Sequence, residues 1–256
     1  MLHRLDLNSD MGERDDADGL AVDAALMPLM TSVNIACGGH AGSPDLIRRT
    51  ALIAHQHGVA IGAHPGLPDR HTFGRTERAM AADQIRALVS EQVLACRRGV
   101  EREGLKLRHV KPHGALYNMA ASNDEAANAV VRAVRDVDGS LMLYALAGSA
   151  LARVAHAAGL VVIAEGFADR AYDGAGRLLP RREAGAILEH EDVVRTQLRH
   201  LLNGRVITVE RTVIPLAIQS LCLHNDTPNA VRLARMIRAE LDHAGIEVLA
   251  PSHADD

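Results

Sequence analysis

Short apolar runs along this chain alternate with helix-like segments, and the runs end in polar side chains. Leu5-Asp6-Leu7-Asn8-Ser9-Asp10-Met11-Gly12-Glu13 ends in carboxylates, and Val33–His40, Val59–His64, His109–His113 and Leu221–His224 each end at a histidine with Gly or Pro close by. Between them the apolar spacing is helical. Ser43-Pro44-Asp45 reads as an N-cap, a first-turn proline and a first-turn acid, followed by Leu46, Ile47, Thr50, Ala51, Ile53 and Ala54, with Gly58 as the stop. Further helices are predicted around Ile85–Cys96, from Asn123 to Val137, over Ser149–Ala158, over Glu191–Leu202, over Pro215–Gln219 and from Thr227-Pro228 to Gly245. Strands are predicted at Val110, Leu141–Ala145, Leu160–Ala164, Val206–Val209, Ser220–Leu223 and Ile246–Leu249. Two long loops, 65–78 and 171–185, are rich in Gly, Pro and charge, a length that suggests a functional role.

Seven or eight βα units without a break predict one α/β domain over residues 1–256, a closed or distorted (β/α) barrel, with an open doubly wound sheet as the alternative. In either, the C-terminal strand ends converge on one pocket, so polar residues far apart in sequence line a single site. That arrangement points to an enzyme. Neither a GxGxxG dinucleotide turn nor a GxxxxGK[ST] phosphate loop is present.

Composition narrows the classes. Hydrophobic residues make up 48% of the 256 but aromatics only 2%, so the core must be built from Ala, Val, Leu and Ile. A net charge of −4 with no basic block disfavours nucleic acid as a partner. No apolar run approaches the ~20 residues needed to cross a bilayer, and the N-terminus has no signal-like stretch, so a cytoplasmic protein is expected. Cys37, Cys96 and Cys222 are far apart and form no CxxC pair, so no disulfide framework or zinc ribbon is indicated.

The candidate chemistry follows from residue type. Asp6, Asn8 and Asp10 share one strand face, and with Glu13 they suit cation binding or proton handling, with helix capping by Asp10 and Glu13 as the plainer alternative. His40 and His64 are candidate bases or metal ligands; a satisfied structural histidine is the plain alternative for each. The proline after Lys111 keeps that lysine extended, which sets Lys111 and His113 on one side of a strand end. A lysine buried there needs an anionic partner; a surface lysine beside a turn is the alternative. Glu165, Asp169 and Arg170 follow the next apolar run, and Arg170 offers a fork for a carboxylate, with an inter-loop ion pair as the alternative. Asp226 reads as a loop anchor or a catalytic acid, Arg181 and Arg182 as solvated or reaching over the site. His55, His57, His190, His200 and His243 are expected to face solvent.

Taken together, Asp6–Glu13, Asn34–Gly42, Gly62–Gly66, Phe73-Gly74-Arg75, Val110–Asn118 and Glu165–Tyr172 closely resemble the LamB/YcsF family, also described as the A subunit of bacterial 5-oxoprolinase. The resemblance runs from residue 5 to about residue 245. Two positions depart from it: Ser43 where the family often has Asp, and Asn225 where it often has Gly. The resemblance implies a deacetylase-like barrel. It also implies ATP-dependent opening of 5-oxo-L-proline to L-glutamate together with two partner subunits, with Mg as the metal accompanying ATP. Residue chemistry then suggests Asp10, His40 and His64 as base or metal ligands, Lys111 and His113 as groups that steady a phosphate or oxyanion, and Asn8, Glu13, Glu165, Asp169 and Arg170 as substrate contacts. A stand-alone metal-dependent amidohydrolase and a non-catalytic substrate-binding subunit remain as alternatives, and a homo-oligomer remains open.

Overall fold

The first strand sets the plan of the barrel. In β1 (Arg4–Met11), Leu5, Leu7 and Met11 are fully buried in the main hydrophobic core, while Asp6, Asn8 and Asp10 turn to the opposite face and are equally inaccessible. The apolar face packs on helices; the polar face lines the inside of a barrel. The computed structural model describes residues 2–252, so Met1 and residues 253–256 of the expected domain lie outside the described residues.

In chain order, β1 is followed by α1 (Ala17–Leu26), β2 (Ser32–Ala36), α2 (Pro44–Gln56), β3 (Ala60–His64), α3 (Ala82–Glu101), β4 (His109–Val110), α4 (Gly114–Ser122), α5 (Asp124–Asp138), β5 (Met142–Leu146), α6 (Ala150–Ala157), β6 (Val162–Phe167), α7 (Glu191–Leu202), β7 (Arg205–Ile207), β8 (Val213–Pro215), β9 (Ser220–Cys222), α8 (Ala230–His243) and β10 (Glu247–Val248). The sheet runs β1-β2-β3-β4-β5-β6-β9, and β9 pairs back onto β1. Every pairing in this ring is parallel. The closure makes a seven-stranded barrel and rules out the open sheet. β10 adds a short parallel pairing to Arg4 and Leu5.

The helices form where caps and spacing direct. Ser43 Oγ accepts from the Leu46 amide at 3.2 Å and starts α2, and Asn123 does the same for α5 through the Ala126 amide at 3.0 Å. The bounds of α7 are those expected from its spacing. Two helices carry no clear apolar stripe and are not foreseen: α1, which buries only Gly19, Asp23 and Leu26, and α4, nine residues begun by the positive-φ Gly114. The helix expected over Pro215–Gln219 does not form. Val213–Pro215 instead pairs antiparallel with Arg205–Ile207, as suits β-branched Val213 and Ile214 better than a helix.

Register stacks the inward residues in layers. Asn8 lies beside Ser32 on β2 and Cys222 on β9; Asp10 is level with Asn34, and Ala36 with His64. Gly62 is level with His109, and it must be glycine: a Cβ there would sit 2.1 Å from His109 Nε2. Met142, Tyr144 and Ile163 form a separate small apolar cluster. The interior is therefore mostly a polar column, unlike the branched aliphatic filling usual for barrels.

Candidate active site

At the base of the column Asp6 accepts hydrogen bonds from Ser32 Oγ at 2.7 Å, Thr31 Oγ1 at 2.7 Å, Ser220 Oγ at 2.5 Å and Tyr144 OH at 3.0 Å. Asp6 is thus a structural anchor. One layer up, Asn8 donates to Glu165 Oε1 at 2.9 Å and Ser220 Oγ at 2.7 Å, and its Oδ1 accepts from Asn34 Nδ2 at 2.8 Å. His109, 2.8 Å from Asn34 Oδ1, must donate there from Nε2, and burial pushes its imidazole down to about 3, so it is neutral.

Lys111 stands at the centre. Its Nζ lies 3.0 Å from Asp10 Oδ1, 3.0 Å from Glu165 Oε1, 3.2 Å from Asn8 Oδ1 and 2.9 Å from Cys222 Sγ, with the side chain 3% exposed. Burial alone would push this amine down, but Asp10, then Cys222 and Glu165, hold it well above its ordinary value. The two carboxylates share that one charge unequally. Burial raises the Asp10 carboxyl, yet His64 and Lys111 outweigh it and bring Asp10 well below the usual range. For Glu165 burial wins over Lys111, and its carboxyl is raised, with Tyr117 OH donating at 2.8 Å.

Above Lys111 the three histidines meet Glu13. His40 and His113 stack with centroids 3.6 Å apart and planes 5° apart, and His64 stands edge-on to both. The backbone fixes two tautomers. His64 Nδ1 is 2.7 Å from the Lys111 carbonyl, and His113 Nε2 is 2.8 Å from the Phe73 carbonyl. Carbonyl oxygens only accept, so both protons sit at those nitrogens. His64 Nε2 and His113 Nδ1 then face each other 2.9 Å apart, and with nothing between them both would present lone pairs. Glu13 Oε1 lies 3.3 Å from His40 Nε2 and 3.7 Å from His113 Nδ1, and Asp10 Oδ2 lies 3.3 Å from His64 Nε2. Facing lone pairs repel, and only a proton or a cation between them removes the conflict. Burial, then His64, pushes the His40 imidazole well down; burial, then His40, does the same to His113, so both are neutral. Burial and Asp10 push the Glu13 carboxyl up to about 7. His64 and His113, each with one ring nitrogen held by a carbonyl, and neutral His40, whose Nδ1 is buried without a hydrogen-bond partner among the described residues, form with the Glu13 carboxylate a donor set that fits a divalent cation. Glu13, His40, His64 and His113 can each offer one atom within 4.8 Å of the others; Asp10 falls in an adjoining group with Cys222 and His224.

A sequence model of the LamB/YcsF family matches residues 5–255. The chain belongs to that family. It is 46% identical to the 5-oxoprolinase A subunit of Symbiobacterium thermophilum, over 98% of this chain and 96% of the relative. The crystal structure of lactam utilization protein from Thermus thermophilus is similar at 40% identity with a TM-score of 0.88, covering 97% of this chain and 100% of that one. The catalytic domain of peptidoglycan N-acetylglucosamine deacetylase from Eubacterium rectale shares the fold alone, at 12% identity and a TM-score of 0.52 over 100% of this chain and 91% of that one. The expected deacetylase-like barrel is therefore present.

The structure brings Asp10, His40, His64, Lys111, His113, Asn8, Glu13 and Glu165 into one cluster at the C-terminal mouth of this LamB/YcsF barrel. Asp169 adjoins it: Oδ2 accepts from Thr227 Oγ1 at 2.8 Å and lies 3.0 Å from His224 Nδ1, and that histidine stacks on Phe167. Arg170 does not join them. Its guanidinium donates to the carbonyls of Ala186 at 3.2 Å and Leu179 at 2.5 Å, so it braces the loop that follows β6. Asp226 ties Arg75 to Arg181, whereas Arg182 is exposed. His55, His57, His190 and His243 are exposed as expected, and His200 is half-buried. Cys37 and Cys222 are buried, and burial pushes both thiols up, which makes them inert. Asn34, Tyr117, Phe73 and His109 belong to the site although residue type alone does not mark them for it. Asn34 alternates with Ser32 on the inward face of β2, the same signal that marks Asn8 and Asp10. Asn225 donates its amide to Asp23 Oδ1 at 3.1 Å. Among the described residues no helix is long and apolar enough to cross a membrane.

Proposed function

We propose that this chain is the A subunit of a 5-oxoprolinase and opens the lactam of 5-oxo-L-proline to L-glutamate, with ATP consumed by the complex it forms with two partner subunits in the cytoplasm. The observation that carries the reading is the Asp10–Lys111–Glu165 charge column beneath the Glu13, His40, His64 and His113 cluster, in a chain that matches a 5-oxoprolinase A subunit from end to end.

A lactam resists water because its carbonyl carbon is weakly electrophilic and its nitrogen is a poor leaving group. Phosphorylating the carbonyl oxygen at the expense of ATP, with Mg accompanying the nucleotide, makes the carbon susceptible to attack. Water then adds, and the carbon–nitrogen bond breaks with the nitrogen taking a proton, which leaves an acyl phosphate; a second water attacks its carbonyl carbon and releases phosphate and the new carboxylate. The barrel supplies two parts of this. Asp10 Oδ2 takes and gives a proton, while His64, its imidazole orientation fixed by the Lys111 carbonyl, keeps Nε2 turned to the cluster. The Lys111 ammonium provides a preorganised positive charge toward the oxygen on which negative charge develops. Glu13, His40, His64 and His113 would hold a divalent cation, which when bound supplies Lewis-acid polarisation of a carbonyl.

The test is glutamate release from 5-oxo-L-proline with ATP, measured for the purified chain and for the chain mixed with its partners. Turnover only in the mixture supports the reading. The histidine–glutamate cluster also favours a second reading, a metal-dependent amidohydrolase acting alone. ATP-independent amide hydrolysis by the single chain, lost on chelation, would replace the first reading with that one.

A further inference from the structure

Two guanidinium groups from different loops meet one carboxylate on the rim of the site. Arg75, in the loop after β3, donates to Asp226 Oδ2 at 2.5 Å and lies over the Phe73 ring at 4.9 Å from its centroid. Phe73 in turn stands edge-on to His40 and His113. Arg181, in the loop after β6, spends only Nη1 on Asp226, at 3.0 Å to both oxygens. Its Nη2 is buried and has no hydrogen-bond partner among the described residues. Asp226, in the loop after β9, is a full anion: burial pushes its carboxyl up, but Arg181, His224 and Arg75 bring it down to about 2. One negative charge thus faces two positive ones beside the histidine cluster. Nearby, Asp169 Oδ1 is a buried acceptor that also lacks a partner among the described residues.

We propose that Arg181, aligned with Arg75 by Asp226, binds the anionic group of the substrate. A guanidinium with one nitrogen held and the other unspent is set to receive an oxyanion from a fixed direction. The ligand is a small carboxylate or phosphoryl anion that also carries an N–H. In 5-oxo-L-proline the carboxylate matches Arg181 Nη2 and the ring N–H matches Asp169 Oδ1. A phosphorylated lactam offers the same pair of arginines its phosphoryl oxygens. Asp226 positions the two side chains and does not touch the reacting atoms. Arg170, spent on backbone carbonyls, has no part in this.

The assignment to a lactam rests on the function proposed above, so the experiment separates the two. Calorimetric titrations of the full chain use three probes: 5-oxo-L-proline, 2-pyrrolidinone (the same ring without the carboxylate) and inorganic phosphate. The wild type is expected to bind 5-oxo-L-proline at least 10-fold more tightly than 2-pyrrolidinone. Arg181→Gln should weaken 5-oxo-L-proline about 10- to 100-fold, as expected for one lost charge-assisted contact, and leave 2-pyrrolidinone unchanged. Arg181→Lys should fall between, because the charge remains without the fork. Arg75→Gln serves as a second variant should Arg181→Gln fold poorly. Phosphate bound by the wild type and lost in the same variants supports the pair as a receptor for phosphoryl oxygens as well as for a carboxylate. Phosphate binding abolished by Arg181→Gln, with no binding of 5-oxo-L-proline to the wild type, keeps the arginine pair and removes the lactam reading. The proposal is overturned if the wild type binds no anionic probe at millimolar concentration, or if the Arg181 and Arg75 variants bind both anions as the wild type does.

Discussion

Replacing Lys111 with Met tests the charge column, because the methionine keeps the length of the side chain and removes the ammonium. Asp10 and Glu165 would then face each other across Asn8 with no compensating charge, in a place where Lys111 is 3% exposed and Glu165 wholly buried. Breaking a buried pair by removing one partner costs roughly 3–5 kcal/mol. At about 2–4 °C per kcal/mol for a chain of this size, the midpoint should drop by about 10 °C. The sign of the pH effect also follows. Glu165 already has a folded-state carboxyl raised by burial, and without Lys111 it rises further. A carboxyl that binds its proton more tightly in the folded than in the unfolded state lowers stability as pH rises from its unfolded value. The loss in Lys111→Met should therefore be larger at pH 8 than at pH 5. Adding Glu165→Gln should recover part of it, since the uncompensated charge is removed, and the double-mutant cycle gives the coupling. The assay is guanidinium unfolding of the four proteins at both pH values. A loss below about 1 kcal/mol that is the same at both pH values, with no coupling to Glu165, would show that Lys111 does not balance the buried carboxylates.

Other expectations follow from single contacts. Gly62→Ala should destabilise the chain by about 1–3 kcal/mol or more, since its Cβ would meet His109 Nε2 at 2.1 Å; thermal unfolding checks it. Ser43→Ala should cost about 1 kcal/mol through the lost cap of α2, read by the same melts. Burial holds the Asp23 carboxyl up at about 6 against an ordinary 3.8, so Asp23→Asn should flatten the fall in stability as pH rises between those values, seen by unfolding at pH 4 and pH 7. Elemental analysis of protein purified without chelator should find a divalent metal, reduced several-fold in His113→Ala.

The barrel was legible because its strands end in polar residues and its helices carry caps. Ser43 and Asn123 start helices at the positions their side chains dictate, and the inward stripe of Asp6, Asn8 and Asp10 announces a polar interior. What escaped has physical causes. α1 has no apolar stripe to read, and Val213–Pro215 became a strand because β7 offered a partner. At the site, residue type marked Asp10, His40, His64, Lys111 and His113, but not that Asp6 would be consumed by four hydrogen bonds at the barrel base. Arg170 carries the right group for a carboxylate, yet its direction is set by the carbonyls of Leu179 and Ala186, which only the folded loop brings near. Arg181 read as solvated or reaching over the site and Asp226 as a loop anchor or a catalytic acid, and only the meeting of three loops joins them in one ion pair.

A barrel that opens the ring itself, and does not merely present substrate, depends on the His64 imidazole. The most direct measurement is glutamate release and ATP hydrolysis by the complex reconstituted with His64→Ala in place of the wild-type chain, with assembly verified by size-exclusion chromatography. The expected result is an assembled complex whose glutamate release falls at least 100-fold. An assembled complex that releases glutamate at the wild-type rate would contradict it.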